Sequence, residues 1–325
     1  VACGTTARIS AGILVVSVER KRPSYVKVQF KSGDAIMATS IKESASTPIN
    51  CRTCQARVDG LCQGYPPDVP PIAARYKSGD RQVIAGQDVF GLGEPCDAIY
   101  NLVEGWVFLY NLLEDGRRQI LHFGLPGAVL GFHPAQGALT TYGVQALTDA
   151  VFCVIPRENL DRLSREHPDV SMRLAWLMSR DRSLSFGRLT SIGRHCARER
   201  VAHLILELFI RCRAQWPGHR IEEMHLPLTQ EHIGDATGLT GVHVNRVLRD
   251  LKEDGIVEFH YRRLRILDPD KLLDVAGIDP HLLMPWTQRG MPEQRAVQRR
   301  PWDRSRTAVP PLEALHSARV RVLHA

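Results

Sequence analysis

The sequence predicts an α+β protein: an antiparallel β-roll, then a long helix, then a C-terminal helix-turn-helix carrying a β-wing. Three observations carry that prediction. Short apolar runs between glycine turns fill residues 76–156, helical periodicity follows Pro168, and two capped short helices with a basic hairpin occupy 226–267. A chain of 325 residues can hold two substantial cores, and an apolar content of 44% excludes a wholly disordered protein.

The first 48 residues are a weakly patterned N-terminal extension, with strand character only near 13–18 and 25–30. The roll is expected to use strands at 82–85, 98–102, 106–111, 119–123, 129–130, 143–146 and 151–155, and Asp115-Gly116 marks a tight hairpin between the third and fourth. After Pro156 the periodicity becomes helical. A short helix over 157–167 precedes a longer one that Pro168-Asp169 initiates and that runs towards residue 192. Along it Leu174, Leu177, Asp181, Leu184 and Arg188 recur at steps of three and four, the spacing of a dimer seam. Ile192-Gly193 offers a hinge, and a further helix over 196–213 turns Val201, Leu204, Ile205, Leu208 and Phe209 inward.

Thr229 can cap a helix whose inner face holds Ile233 and Ala236, Gly238 breaks it, and Thr240 can cap a second. In that second helix Val244, Val247, Leu248 and Leu251 share one face, so His243, Asn245, Arg246 and Arg249 point outward. An outward polar row of this kind suits a major groove. Strands at 256–259 and 264–267 form the wing, and Arg262 and Arg263 at its turn suit phosphates. Candidate DNA contacts are therefore Thr229, Gln230, Thr240, Val242, His243, Asn245, Arg246, Arg262 and Arg263.

The net charge of +7 comes largely from the C-terminus, where residues 286–325 hold eight arginines against Glu293, Asp303 and Glu313. That Arg/Pro-rich tail, lacking periodicity, reads as disordered and adds no independent support for a DNA face. The longest early apolar run, at 12–18, is too short to span a bilayer, so the cytoplasm is expected. No nucleophile-base pair or phosphate loop stands at recognisable spacing, which speaks against an enzyme.

Cys51-x2-Cys54-x7-Cys62 places three thiols just ahead of the roll, and Cys153 sits on its last strand. Reduced thiols at such spacing point to a metal, either zinc or an iron-sulfur centre. The alternative is that Cys153, alternating in Val151-Phe152-Cys153-Val154-Ile155, is an inert strand residue. Cys3, Cys96, Cys196 and Cys212 are isolated thiols.

Taken in order, these segments resemble the Crp/Fnr family of transcription regulators over roughly residues 50–275. The resemblance rests on Gly105-Trp106, Asp115-Gly116-Arg117-Arg118-Gln119-Ile120, Pro126-Gly127, Ala197-Arg198-Glu199-Arg200-Val201-Ala202 and Leu226-Pro227-Leu228-Thr229-Gln230. It implies a cyclic-nucleotide-binding-like roll as sensor over 49–168, a dimerisation helix over 169–193 and a winged reader over 194–275, with 276–325 left as tail. It further implies a homodimer on near-palindromic double-stranded DNA and a contact with RNA polymerase. Where cyclic-nucleotide binders carry Gly-Glu and then Arg-Ser or Arg-Thr, this chain has Gly131-Phe132-His133 and Thr140-Thr141-Tyr142, and no arginine lies between Arg118 and Arg157. Cyclic AMP is not the expected effector. The cysteines are similar to the oxygen-sensing Fnr branch, which implies a 4Fe-4S cluster on Cys51, Cys54, Cys62 and Cys153. Two rivals stand beside it: a cluster-free regulator with an uncharged or haem-like ligand near His122 or His133, and a zinc-stabilised interaction protein. In the DNA-reading helix the family's Glu is replaced by Val242, leaving Arg246 to grip a guanine and predicting an altered half-site at the base pair facing Val242.

Overall fold

The computed structural model describes residues 49–65, 70–133, 139–213 and 222–278, together with a short strand pair, Arg8–Ile9 with Gly12–Ile13. The tail beyond 278 lies outside the described residues, as do the strands expected within 13–30 apart from Ile13.

The roll consists of β1 (Gly79–Val83), β2 (Asp88–Phe90), β3 (Ala98–Glu104), β4 (Val107–Leu112), β5 (Arg118–Gly124), β6 (Val129–Leu130), β7 (Gly143–Ala146) and β8 (Ala150–Pro156). They form two four-stranded antiparallel sheets, ordered β1-β8-β3-β6 and β2-β7-β4-β5. Gly105, at φ 86°, turns the chain from one sheet to the other where an added Cβ would lie 2.2 Å from the Asp149 carbonyl, so only glycine fits. Gly116 closes the Asp115-Gly116 hairpin at φ 82°. Two strands depart from the expectation. β1 starts earlier because Gly79, Asp80 and Arg81 are held by pairing with β8 rather than by apolar alternation, and β2 was too short to show a pattern.

Between the sheets Phe90, Leu102, Val107, Val144 and Phe152 are buried, with Tyr100 and Tyr142 packed against them. The roll is a filled core. Helix α1 (Arg157–Glu166) follows, and then the 27-residue α2 (Pro168–Arg194), whose Pro168 occupies the first turn where no N–H partner is needed.

Helix α3 (Ala197–Arg213) is buried at every position over 201–210, including His203 and Glu207, which an amphipathic reading does not anticipate. The reader follows as β9 (Glu222–His225), α4 (Gln230–Thr237), α5 (Gly241–Glu253), β10 (Val257–His260), β11 (Arg263–Ile266) and α6 (Pro269–Ala276), its sheet ordered β9-β11-β10. One apolar core runs from Phe108, Ile120 and Phe123 of the roll through α3 into Ile233, Val244, Leu251 and Leu264. The roll and the reader therefore share a core within this protomer.

The residues of the seam expected on α2 are engaged within the protomer. Leu174 and Leu177 lie in a cluster with Leu61, Ile99, Ile155 and Leu163, while Leu184 and Arg188 are buried within the same protomer. Asp181 is ion-paired with Arg180 at 3.1 Å. The opposite face carries Met172, Ala175, Arg182, Phe186 and Leu189 exposed, with Ser179 half-buried between them. Both rows step by three and four residues, so periodicity alone does not say which one faces the roll.

Candidate functional site

The structure brings two groups of residues into position. One is the reader surface. Thr229 Oγ1 accepts from the His232 backbone N–H and His232 Nδ1 accepts from the Thr229 N–H, each at 3.2 Å, a reciprocal cap with histidine in the place usually held by Glu or Gln. Gly238 ends α4 at φ 69°, and Thr240 Oγ1 caps α5 by accepting from the His243 N–H at 3.3 Å. A Cβ on Gly234 would stand 2.5 Å from the Leu239 carbonyl, which is why the two helices close so tightly. Val244, Val247, Leu248 and Leu251 are buried, leaving Val242, His243, Asn245, Arg246 and Arg249 exposed on one side of α5. Gln230 and Thr240 are exposed at the helix starts, and Thr229 is half-buried. On the wing Arg263 is paired with Glu223 at 2.8 Å, and Arg262 has no carboxylate partner among the described residues.

The other group is a pocket ahead of the roll, lined by Cys51, Cys54, Cys62 and Cys153 together with Arg57 and Lys77. Cys153 arrives on β8, opposite Asp80 of β1 and Asn101 of β3, so sheet register sets its position relative to the N-terminal three. The N-terminal segment is fixed by its backbone: Arg57 donates to the carbonyls of Cys51 and Tyr65 at 3.0 and 2.9 Å, and the Ile49 N–H donates to Asp80 at 2.8 Å. Burial, followed by the neighbouring Cys54 and Cys51, pushes the Cys62 thiol up to about 12. Burial likewise lifts Cys153 to about 12, against the opposing pull of Lys77. Among the described residues no group of three His, Cys, Asp or Glu side chains is drawn together around a single point, and the four thiols line one pocket.

The turn between Cys54 and Cys62 is gripped by α2. Arg173 donates to the Gly60 and Asp59 carbonyls at 3.1 and 3.2 Å, and the buried Arg180 pairs with the Asp59 carboxylate at 3.0 Å. Both guanidiniums lie over the Trp176 ring, at 4.3 and 5.6 Å. Gly60 packs on Gly127 so closely that a Cβ would meet its Cα at 2.8 Å. Sequence reasoning missed this grip, because nothing local in Arg173 or Arg180 shows a partner more than 110 residues away.

The histidines considered as ligand contacts are placed otherwise. His122 is buried beside α3, its Nε2 3.2 Å from Arg211, and burial together with the charges of Arg211 and Arg188 holds it neutral, well below the usual imidazole range. It faces the helices, not the interior of the roll. His133 is buried beside Tyr142, with ring centroids 5.8 Å apart. Thr140, at the place of the phosphate-binding pair, is spent on the roll itself, donating to the Gly91 carbonyl at 2.6 Å.

A β-roll joined by one long helix to a winged helix-turn-helix defines a DNA-binding transcription regulator, and known proteins say which kind. Residues 80–167 match the cyclic nucleotide-binding domain, and residues 199–275 match the Crp-like helix-turn-helix domain. The nitrogen fixation regulation protein FixK of Rhizobium meliloti is 31% identical over 204 residues, covering 62% of this chain and 86% of that protein. The anaerobic regulatory protein of Pasteurella multocida is 27% identical over 237 residues, covering 72% and 85%. The solved structure of FixK2 from Bradyrhizobium japonicum is similar with a TM-score of 0.55 and 28% identity, over 62% of this chain and 98% of that one. The chain belongs to the Crp/Fnr family of transcription regulators and is not an enzyme. Among the described residues no helix is long and apolar enough to cross a membrane.

Proposed function

We propose that this chain is a cytoplasmic, homodimeric regulator that responds to oxygen or redox state through a 4Fe-4S cluster held by Cys51, Cys54, Cys62 and Cys153. The observation that carries this reading is the pocket itself: two segments about ninety residues apart in sequence line it with four thiols. A cubane takes one thiolate per iron, and the four thiols that line this pocket supply that number of ligands. Lys77 and Arg57 beside the thiols would offset the negative charge of four thiolates. When bound, the cluster would supply an oxygen-sensitive redox centre. The kinship with a protein named as an anaerobic regulator supports the same signal.

The chain's own residues supply the coupling. The turn over 55–61 lies between two of the cysteines and is held by Arg173 and Arg180, so a rearrangement there is felt by α2. We assign residues 49–168 to sensing, 169–193 to dimerisation and 194–275 to DNA. The seam is assigned to Met172, Ala175, Ser179, Arg182, Phe186 and Leu189, and the reading face to α5, led by Arg246 on a near-palindromic duplex. RNA polymerase contact is expected from the family.

Protein purified under strict anaerobiosis is expected to be coloured, with about four irons and four sulfides per chain, and to bleach in air as DNA affinity falls. Colourless protein that binds DNA equally with Cys51, Cys54 and Cys62 replaced by Ser would sink the cluster reading and leave the DNA reading standing.

A further inference from the structure

The wing closes on two residues. His260 of β10 faces Arg263 of β11 across the ladder, so Tyr261 and Arg262 alone make the turn, at φ 47° and 61°. Positive φ at both central positions is the type I′ pattern of a two-residue hairpin, a geometry that Asn-Gly adopts readily and bulky side chains adopt only under strain. Among the described residues no other non-glycine residue has positive φ. The strained turn is held from outside, since the Leu226 N–H, three residues before the cap of α4, donates to the Arg262 carbonyl at 2.7 Å. The tip is thus fixed relative to the reading helices.

What the strain presents is an aromatic ring in water. Tyr261 is 86% exposed, the most exposed large apolar side chain among the described residues, and its ring rests on His260 at 4.0 Å. It contributes nothing to a core. Of the wing arginines, Arg263 is neutralised by Glu223 and Arg265 by Glu258, which leaves Arg262 as the uncompensated charge next to the phenol. We infer that Tyr261 is a DNA-contact residue whose hydroxyl donates to a backbone phosphate flanking the groove read by α5. A phenol gives a phosphate oxygen a charge-assisted hydrogen bond and, being neutral, fixes register without adding to the ionic attraction.

The inference rests on the DNA-reading assignment above, and its test separates the two. Wild-type protein first selects a duplex from random sequences; selection of none overturns the assignment and the contact with it. Tyr261→Gly removes the ring and relieves the positive φ, so the melting temperature is expected to hold or rise while affinity falls about five- to tenfold. The fall should be equal for the selected and an unrelated duplex, and Tyr261→Phe should show it too. Because no charge is lost, the slope of log affinity against log salt should be unchanged, whereas Arg262→Ala should reduce it by about 1. Unchanged affinity in Tyr261→Gly, or full affinity in Tyr261→Phe, overturns the hydroxyl contact. Arg246→Ala reports separately on the reading helix, through loss of preference for the selected duplex.

Discussion

Glu207 is a buried carboxylate held by two arginines. It is buried between α2 and α3, accepting from Arg188 at 2.9 Å through both of its oxygens and from Arg211 at 3.1 Å. Burial raises its pKa, but the charge and hydrogen bonds of Arg188, together with Arg211, outweigh that and hold it at about 2, against an ordinary 4.5. A carboxyl depressed in the folded state contributes stability above its unfolded pKa and loses it as pH falls towards the folded one. That contribution, roughly 3 kcal/mol for a shift of this size, should disappear between about pH 4.5 and 2. Glu207→Gln leaves two buried guanidiniums facing a neutral amide and should cost about 3–5 kcal/mol at neutral pH. Urea unfolding across this range would show it: the variant should be less stable at pH 7 and should have a flatter acid limb. Wild-type-like curves at both ends would mean that the network is neutral to folding.

At the scale of an element, α2 has two sides of different standing. Its Leu174, Leu177, Leu184 and Arg188 side packs on the protomer, and its Met172, Phe186 and Leu189 side, 71%, 59% and 69% exposed, is left over. The two sides should respond to mutation in different observables. Leu177→Ala opens a cavity in a fully buried cluster and should cost about 2–5 kcal/mol of folding stability. Phe186→Ser with Leu189→Ser should leave stability nearly unchanged and raise the dimer dissociation constant at least tenfold, read by sedimentation. Dimerisation that is indifferent to Phe186 and Leu189 would move the seam off this face.

On the scale of the whole molecule, the reader is docked onto the roll. Arg118 of β5 pairs with Asp235 of α4 at 2.8 Å while lying over Phe108 at 4.9 Å, and the His232 ring packs tilted against the same Phe108 with centroids 5.5 Å apart. With one apolar core continuous across this junction, residues 49–278 should melt in a single calorimetric transition. Asp235→Ala should lower its midpoint; two resolved transitions in the wild type would show that the halves are uncoupled. The sequence by itself determined the order of the parts, because its signals are local: glycine turns and alternating strands for the roll, Pro168 for the start of α2, and Thr229, Gly238 and Thr240 for the reader. It also named the four cysteines and the exposed face of α5, since helix period decides which of Val244 and Asn245 is buried once the cap is known. Only the tertiary structure decided which of two equally spaced rows on α2 is free, that Arg188 is neutralised by Glu207, that Arg173 and Arg180 hold the cysteine turn, and that Tyr261 is strained at the wing tip. Each of these depends on a partner far along the chain or on a backbone angle, and neither is encoded in the spacing of apolar residues.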